Sequence, residues 1–340
     1  MSHISTRKKD HVQLTVTDQT QYGITTGFEQ FYFNHNALPE VNFDDISTQA
    51  SLLGRSFSFP LMISSMTGGY SDASPVNAII AEFCEEHDLP FGVGSQRAML
   101  VDETQIESFA VARKKAPNAF IAGNIGGAQL IGGLEKSELK LIIDTIQADA
   151  MIVHLNPLQE MMQPEGDRNF KGVLVGIEQL VKDTSIPVIA KETGAGISSY
   201  TAKRLLNAGV QAIDVAGAGG TSWAKVENQR ADNEIANFEF DDWGIPTTVC
   251  LQQISALQWE RSFELIASGG IRTASDIAKS LCLGATFSAT AQPIIKAIKV
   301  GGENQLEAYF EHLKHSFKTL MLLLGCTTIQ EMNRSLLIEK

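Results

Sequence analysis

The chain has 340 residues, 44 % of them hydrophobic, and 39 acidic against 27 basic residues leave it at −12. That length suits one large core, and that charge argues against a nucleic-acid partner, so any phosphate must be met by a local cluster of cations. Four scattered cysteines without a C-x-x-C spacing, a polar start (MSHISTRKKDHVQL) and no run of membrane-spanning length predict a soluble, cytoplasmic protein with reduced thiols, no disulfide frame and no zinc site. Residues 1–58 precede the first regular element and read as an amino-terminal extension.

From there, short apolar runs rich in Ile and Val meet polar residues eight times: PLMISSMTGG (60–69), PFGVGSQR (90–97), AFIAGNIGG (119–127), AMIVHLNPLQE (150–160), PVIAKETG (187–194), VQAIDVAGAGGTSW (210–223), FELIASGGIRT (263–273) and GATFSATAQP (284–293). Such runs read as strands buried on both faces, the mark of parallel sheet. Helical segments lie between them. Ser74-Pro75 reads as a cap before Val76, Ile79, Ile80, Phe83 and Cys84; residues 199–207 read as a helix stopped at Ala208-Gly209; Thr273 and Asp276 read as a capping box. The series predicts a single (β/α)₈ barrel over residues 1–340 with a carboxy-terminal helix after residue 303. Residues 221–250 widen the gap between strands six and seven and hold Trp223 and Trp243. They read either as a lid or as a plain surface excursion.

In a barrel the functional groups stand at the carboxyl ends of the strands, which brings Ser65, Thr67, Ser95, Arg97, Asn124, His154, Asn156, Lys191, Thr221 and Arg272 to one mouth. ASGGIRT after strand seven, with Ala289-Thr290-Ala291-Gln292 after strand eight, offers backbone amides, a helix start and one cation to a phosphate; tight packing alone is the bland alternative. SSMTGG and GNIGG let a flat ligand approach the backbone, and a flat ring with a phosphate tail suggests flavin mononucleotide. Lys191 fits the polar edge of such a ring, a Schiff-base lysine or a salt bridge to Glu192. His154, Asn156, Gln159 and Glu160 end one apolar run; Glu160 suits either a Mg²⁺ whose shell is completed by phosphates and water, or a general base. Arg7-Lys8-Lys9-Asp10-His11 reads as a solvated tail or, folded back beside Arg97 and His154, as a diphosphate clamp.

The ensemble resembles type 2 isopentenyl diphosphate isomerases over nearly the whole chain: RKKDH, SSMTGG, GVGSQR, GNIGG, HLNPLQE with QPEGDRNF, AKETG, DVAGAGGTSW, DWGIPT, SGGIRT and ATAQP. The resemblance implies interconversion of isopentenyl and dimethylallyl diphosphate by a proton shift, with reduced FMN, Mg²⁺ and NADPH as reductant. Arg7, Lys8, His11, Arg97, His154 and Asn156 would hold the diphosphate, with Gln159 near the alkene and Glu160 on Mg²⁺. Ser65, Met66, Thr67, Gly68, Ser95, Asn124, Lys191, Thr221, Gly270, Arg272, Ala291 and Gln292 would surround FMN. The same likeness implies a homo-oligomer, a tetramer or an octamer. Two positions depart from common family versions: Ala216 where serine often stands, and Thr290-Ala291-Gln292 in place of a glycine-rich turn. Rival readings are an FMN oxidoreductase, which needs neither RKKDH nor HLNPLQE, a nucleotide dehydrogenase, which needs a cysteine absent from GAGGTSW, and a silent flavin or phosphate sensor.

Overall fold

A computed structural model of the chain describes residues 10–70, 72–230 and 238–340. Eight strands, β1 Leu61–Ile63, β2 Phe91–Gly92, β3 Ile121–Gly126, β4 Ala150–Leu155, β5 Val188–Glu192, β6 Ala212–Asp214, β7 Glu264–Ala267 and β8 Phe287–Thr290, close into a barrel in chain order. All neighbours run parallel, and each expected apolar run supplies one strand. All six residues of β3 are buried, as are the first four of β4: these strands carry side chains into the barrel on one face and under helices on the other. Register matters for function. Gly126 pairs with His154, His154 with Lys191, and Lys191 with Asp214, so one row across four strands carries three ionisable groups to the carboxyl end.

The amino end of the barrel is plugged. A hairpin of Ala50–Leu52 and Arg55–Phe57 places Phe57 edge-on against Phe120 and Phe287, at the starts of β3 and β8. The opposite end is dressed by residues 20–26: the Tyr22 amide donates to Gly220 O, the Ser222 amide to Thr20 O and the Thr248 amide to Thr26 O. The amino-terminal extension thus runs along the loop after β6. Residues 1–9, which include Arg7 and Lys8, lie outside the described residues.

Local signals were followed closely, with two shifts. The first long helix is Ala73–His87 with Asp72 at its cap, so Ser74 and Pro75 stand inside the first turn rather than at the boundary. Proline needs no amide there, because the first turn has no intrahelical acceptor for it. The last long helix starts at Gln292, at the end of β8, and runs to Leu324 with a break at Gly301–Gly302. Its second half buries Phe310 and Phe317 against Phe59. Beyond it, Leu337–Glu339 pairs antiparallel with Phe31–Phe33. The capping box of Thr273 with Asp276 and the helix Ser199–Asn207 stand as expected. All four cysteines are buried free thiols. Among the described residues no helix is long and apolar enough to cross a membrane.

Candidate active site

One cavity opens at the carboxyl end of the barrel, and residues from every strand end contribute to it. From β1 come Ser65 and Met66, and the Ser65 hydroxyl is buried with no hydrogen-bond partner within the protein. A buried hydroxyl left over in this way calls for a polar ligand. Thr67 and Gly68 are not in the wall: the Thr67 hydroxyl is bonded to Asn77 Oδ1, and Gly68 lies under the Phe109 ring.

After β2 stand Ser95 and Arg97, and the Arg97 guanidinium reaches Asp167 Oδ2 at 3.3 Å. From β3, Asn124 Oδ1 lies 2.7 Å from His154 Nδ1 on β4, which fixes Nδ1 as the donor. The short helix Pro157–Met162 then carries Gln159 and Glu160 over the mouth, with its proline in the first turn. Asn156 ties them down: its amide donates to Glu160 Oε1 at 2.9 Å and to Gln159 Oε1 at 3.3 Å. The other Glu160 oxygen accepts from the Asp167 amide at 2.8 Å. Gln159 in turn donates to Glu227 Oε1 at 3.1 Å.

Glu227 is fully buried, on the helix Trp223–Arg230. Burial pushes its carboxyl up, but His11, Arg230 and Gln159 outweigh that push and hold it below the usual carboxylate range. His11 Nε2 sits 2.8 Å from Glu227 Oε1, and its ring meets the Trp223 indole edge-on at 5.0 Å between centroids. The amino-terminal segment therefore does fold back to the mouth, at least from His11 onward. Of the two tryptophans after β6, Trp223 lines the cavity and Trp243 is largely exposed; residues 231–237 between them lie outside the described residues.

Lys191 on β5 has its ammonium 3.8 Å from Asp214 Oδ2, not bonded to the Glu192 side chain; it donates instead to the Glu192 carbonyl. The salt bridge from Lys191 to Glu192 is thus corrected to one with Asp214. Asp214 is buried, which raises its pKa, with Lys191 and Ser268 opposing. Glu192 serves the next loop: its Oε2 accepts from the amides of Thr193, Gly194 and Ala195 at 2.7, 2.5 and 2.5 Å. Burial pushes its carboxyl up to about 7 against those amides and the Lys191 charge. Ala216 lies in the wall with φ +38, a left-handed conformation uncommon for a residue with a Cβ.

The far wall is nearly bare backbone. A Cβ on Gly220 would meet Gly270 N at 2.6 Å, and one on Gly270 would meet Thr26 Cγ2 at 2.3 Å. Thr221, Gly270, Arg272, Ala291 and Gln292 all line this side. Arg272 is held by Gly219 O and Gln21 Oε1. The helix beginning at Ala274 is closed by its own residues: Asp276 Oδ2 accepts from the Arg272 and Thr273 amides at 3.0 and 2.9 Å. The Asp276 carboxylate thus already takes the two amides that lead into this helix. The orphaned Ser65 hydroxyl, the bare glycine wall and Lys191 on the opposite rim fit a flat ring with a phosphate tail.

Comparison with known proteins agrees. The family described as FMN-dependent dehydrogenase matches residues 142–339. A protein of Chlorobium chlorochromatii named isopentenyl-diphosphate delta-isomerase is 43 % identical, with 98 % of this chain and 96 % of that protein covered. The chain belongs to the isopentenyl-diphosphate delta-isomerase family. A Nostoc member is 42 % identical over 97 % of this chain and 94 % of its own. The flavin-binding domain of baker's yeast flavocytochrome b2 shares the fold, with a TM-score of 0.71 at 18 % identity over 95 % of this chain and 79 % of that one. In this family member, Glu227, Gln129, Gln163 and Asp167 join the site without having been expected from the sequence; QPEGDRNF marked the segment of two of them, and nothing local marked Gln129 or Glu227.

Proposed function

We propose that the chain interconverts isopentenyl and dimethylallyl diphosphate at this cavity. The observation that carries the reading is the meeting, in one mouth, of the flavin-type wall from β1, β7 and β8 with the bonded set His154, Asn156, Gln159 and Glu160 from β4. FMN, when bound in its reduced form, would supply an electron-rich face and ring nitrogens for proton exchange. Lys191 would stand at the polar edge of the ring, and the Ser65 hydroxyl would find its partner there. In this reading Arg7, Lys8, His11, Arg97, His154 and Asn156 would hold the diphosphate, and Glu160 would hold Mg²⁺, which would offset the phosphate charge.

The chemistry explains why the site is built this way. An allylic C–H is far too weak an acid for a carboxylate or imidazole to remove directly. Protonating the alkene first gives a tertiary cation whose neighbouring C–H bonds are acidic, so the site must place an acid and a base on the hydrocarbon and keep water from the cation. Gln159, fixed between Asn156 and Glu227, orients the alkene end. Trp223 and Met66 supply apolar cover. NADPH as the source of reducing equivalents and a homo-oligomeric assembly rest on the family resemblance; a cytoplasmic setting rests on the scattered cysteines and polar amino terminus, and a lid role for residues 221–250 on the length and polarity of that stretch.

The decisive assay is anaerobic: isopentenyl diphosphate with protein, FMN, Mg²⁺ and NADPH. Dimethylallyl diphosphate should appear only when the flavin is reduced, with no net consumption of NADPH beyond that reduction. Equal turnover by oxidised or flavin-free protein would remove the flavin from the reaction, and stoichiometric oxidation of an organic substrate without isomerisation would return the site to the dehydrogenase chemistry named by the family match.

A further inference from the structure

Between the cavity and the surface runs a five-residue segment, Gln163 to Asp167, whose geometry is unusually constrained. It turns back directly onto the helix Pro157–Met162. The Gly166 amide donates to Gln163 O at 3.0 Å, and a Cβ on Gly166 would stand 1.9 Å from the Glu160 carbonyl oxygen, so no other residue fits without moving the segment. This close approach puts the next residue, Asp167, against two sides of the site at once. Its amide meets Glu160 Oε2 at 2.8 Å. Its Oδ2 accepts from Gln129 Nε2 at 3.0 Å and from the Arg97 guanidinium at 3.3 Å. One residue thus links the loops after β2, β3 and β4.

The Arg97–Asp167 pair is too exposed to matter much for stability, with side chains 42 % and 39 % accessible. Its geometry nevertheless restricts a long, flexible side chain. An arginine presents several N–H donors, and using one of them on a fixed carboxylate sets the direction of the rest. Gln129, which also lines the cavity, donates to the same carboxylate oxygen and holds it in place. We propose that Asp167 is a positioning residue for the diphosphate half of the site: its carboxylate aims Arg97, and its main-chain amide aims the Glu160 carboxylate at the same phosphate oxygens. This rests on the reading that the cavity takes a diphosphate. Asp167 is itself an anion near that ligand, and the alignment of Arg97 outweighs the repulsion it brings.

The experiment compares the FMN-loaded wild type with Asp167→Ala, Asp167→Asn, Arg97→Ala and the double variant Arg97→Ala/Asp167→Ala. Binding of inorganic pyrophosphate with Mg²⁺ is measured by calorimetry, and KM and kcat for isopentenyl diphosphate are measured separately. Flavin content reports that each variant is folded. Asp167→Ala should raise both the pyrophosphate Kd and KM about tenfold, with kcat within about threefold of wild type. Asp167→Asn, which keeps an acceptor for Arg97 and Gln129, should recover most of the loss. In the Arg97→Ala background, Asp167→Ala should add nothing, the signature of two residues acting as one unit. An unchanged or tighter Kd in Asp167→Ala, or fully additive effects, would overturn the proposal while leaving the functional reading intact. A wild type that neither binds pyrophosphate nor turns over isopentenyl diphosphate would sink both.

Discussion

The two walls of the cavity are made by opposite means. On the β7–β8 side the wall exists because side chains are missing: Gly219, Gly220, Gly269 and Gly270 let three backbone segments touch. On the β2–β4 side it exists because side chains are crowded and bonded to one another, from Asn124–His154 through Asn156–Glu160 to Gln159–Glu227. A wall of the first kind is destroyed by adding one methyl group. A wall of the second kind is damaged only by removing or re-aiming a polar atom. The two should therefore fail differently: the first by losing structure and cofactor together, the second by losing ligand affinity or turnover on an intact fold.

The sharpest test of that contrast is Gly269→Ala. At φ +93 a Cβ there would stand 2.0 Å from Gly217 O, against backbone that has nowhere to go. Left-handed strain of about 1–2 kcal/mol and overpacking of about 1–3 kcal/mol together predict a loss of roughly 4 kcal/mol of stability and most of the bound flavin. Gly54→Ala is the control. It has a similar φ of +81 and nothing within 4 Å, so only the strain remains, about 1 kcal/mol. Denaturant melts and flavin absorbance on both variants give the comparison. Equal losses at the two positions would show that backbone conformation, not close approach, builds the glycine wall.

A third kind of wall lies between them, in the loop after β5, where one buried carboxylate, Glu192, gathers four amides. Its carboxyl titrates near 4.5 in the unfolded chain and near 7 in the folded protein. Between those values the folded protein binds more protons than the unfolded one. The contribution of Glu192 to stability is therefore fully present below 4.5 and is lost as pH rises through 7, a change of about 3 kcal/mol. Denaturant melts from pH 5 to pH 8 should show the wild type losing stability relative to Glu192→Gln over this window. Parallel curves for the two proteins would mean that the loop amides keep the carboxylate ionised throughout.

These differences also explain what was readable in the sequence. Eight buried strands were legible because a parallel strand covered on both faces must be apolar, and the polar residue that follows each one marks the barrel's open end. His154, Lys191 and Arg272 could be placed in this way. Glu227 could not: it sits on a helix with no apolar stripe to orient it, and its partners His11 and Gln159 are far away in sequence. The pairing of Phe31–Phe33 with Leu337–Glu339 was equally hidden, because three-residue strands at opposite ends of a chain carry no periodicity. Thr67 was read as a ligand group alongside Ser65 and Met66; the chain after β1 turns its hydroxyl to Asn77, a partner nothing in the sequence marked.

On the side-chain wall, Glu160→Gln should leave fold and flavin untouched. The amide oxygen can accept from only one of the Asn156 and Asp167 donors, which meet different oxygens of the native carboxylate, and an amide is a poorer ligand for a hard cation. The Mg²⁺ concentration for half-maximal activity should rise at least about tenfold, roughly 1.4 kcal/mol, with part of the turnover recovered at high Mg²⁺. Unchanged metal dependence with abolished turnover would make Glu160 an acid or base rather than a metal ligand.

The smallest effect tests where the glycine wall ends. Thr273 caps the helix Ala274–Cys282, and Asp276 closes the amides of Arg272 and Thr273 in return. If this helix end is satisfied by its own side chains, the cap is structural and the phosphate depends on Gly269, Gly270 and Arg272. Thr273→Ala should then cost about 1 kcal/mol, lowering the melting temperature by about 2 °C, with FMN affinity unchanged within twofold. The opposite result has a definite meaning. A tenfold loss of FMN affinity with the same small loss of stability would show that the phosphate draws on the helix terminus after all, and that Asp276 shares its amides with the ligand. Titration of FMN into apoprotein, beside a thermal melt of the same preparation, separates the two.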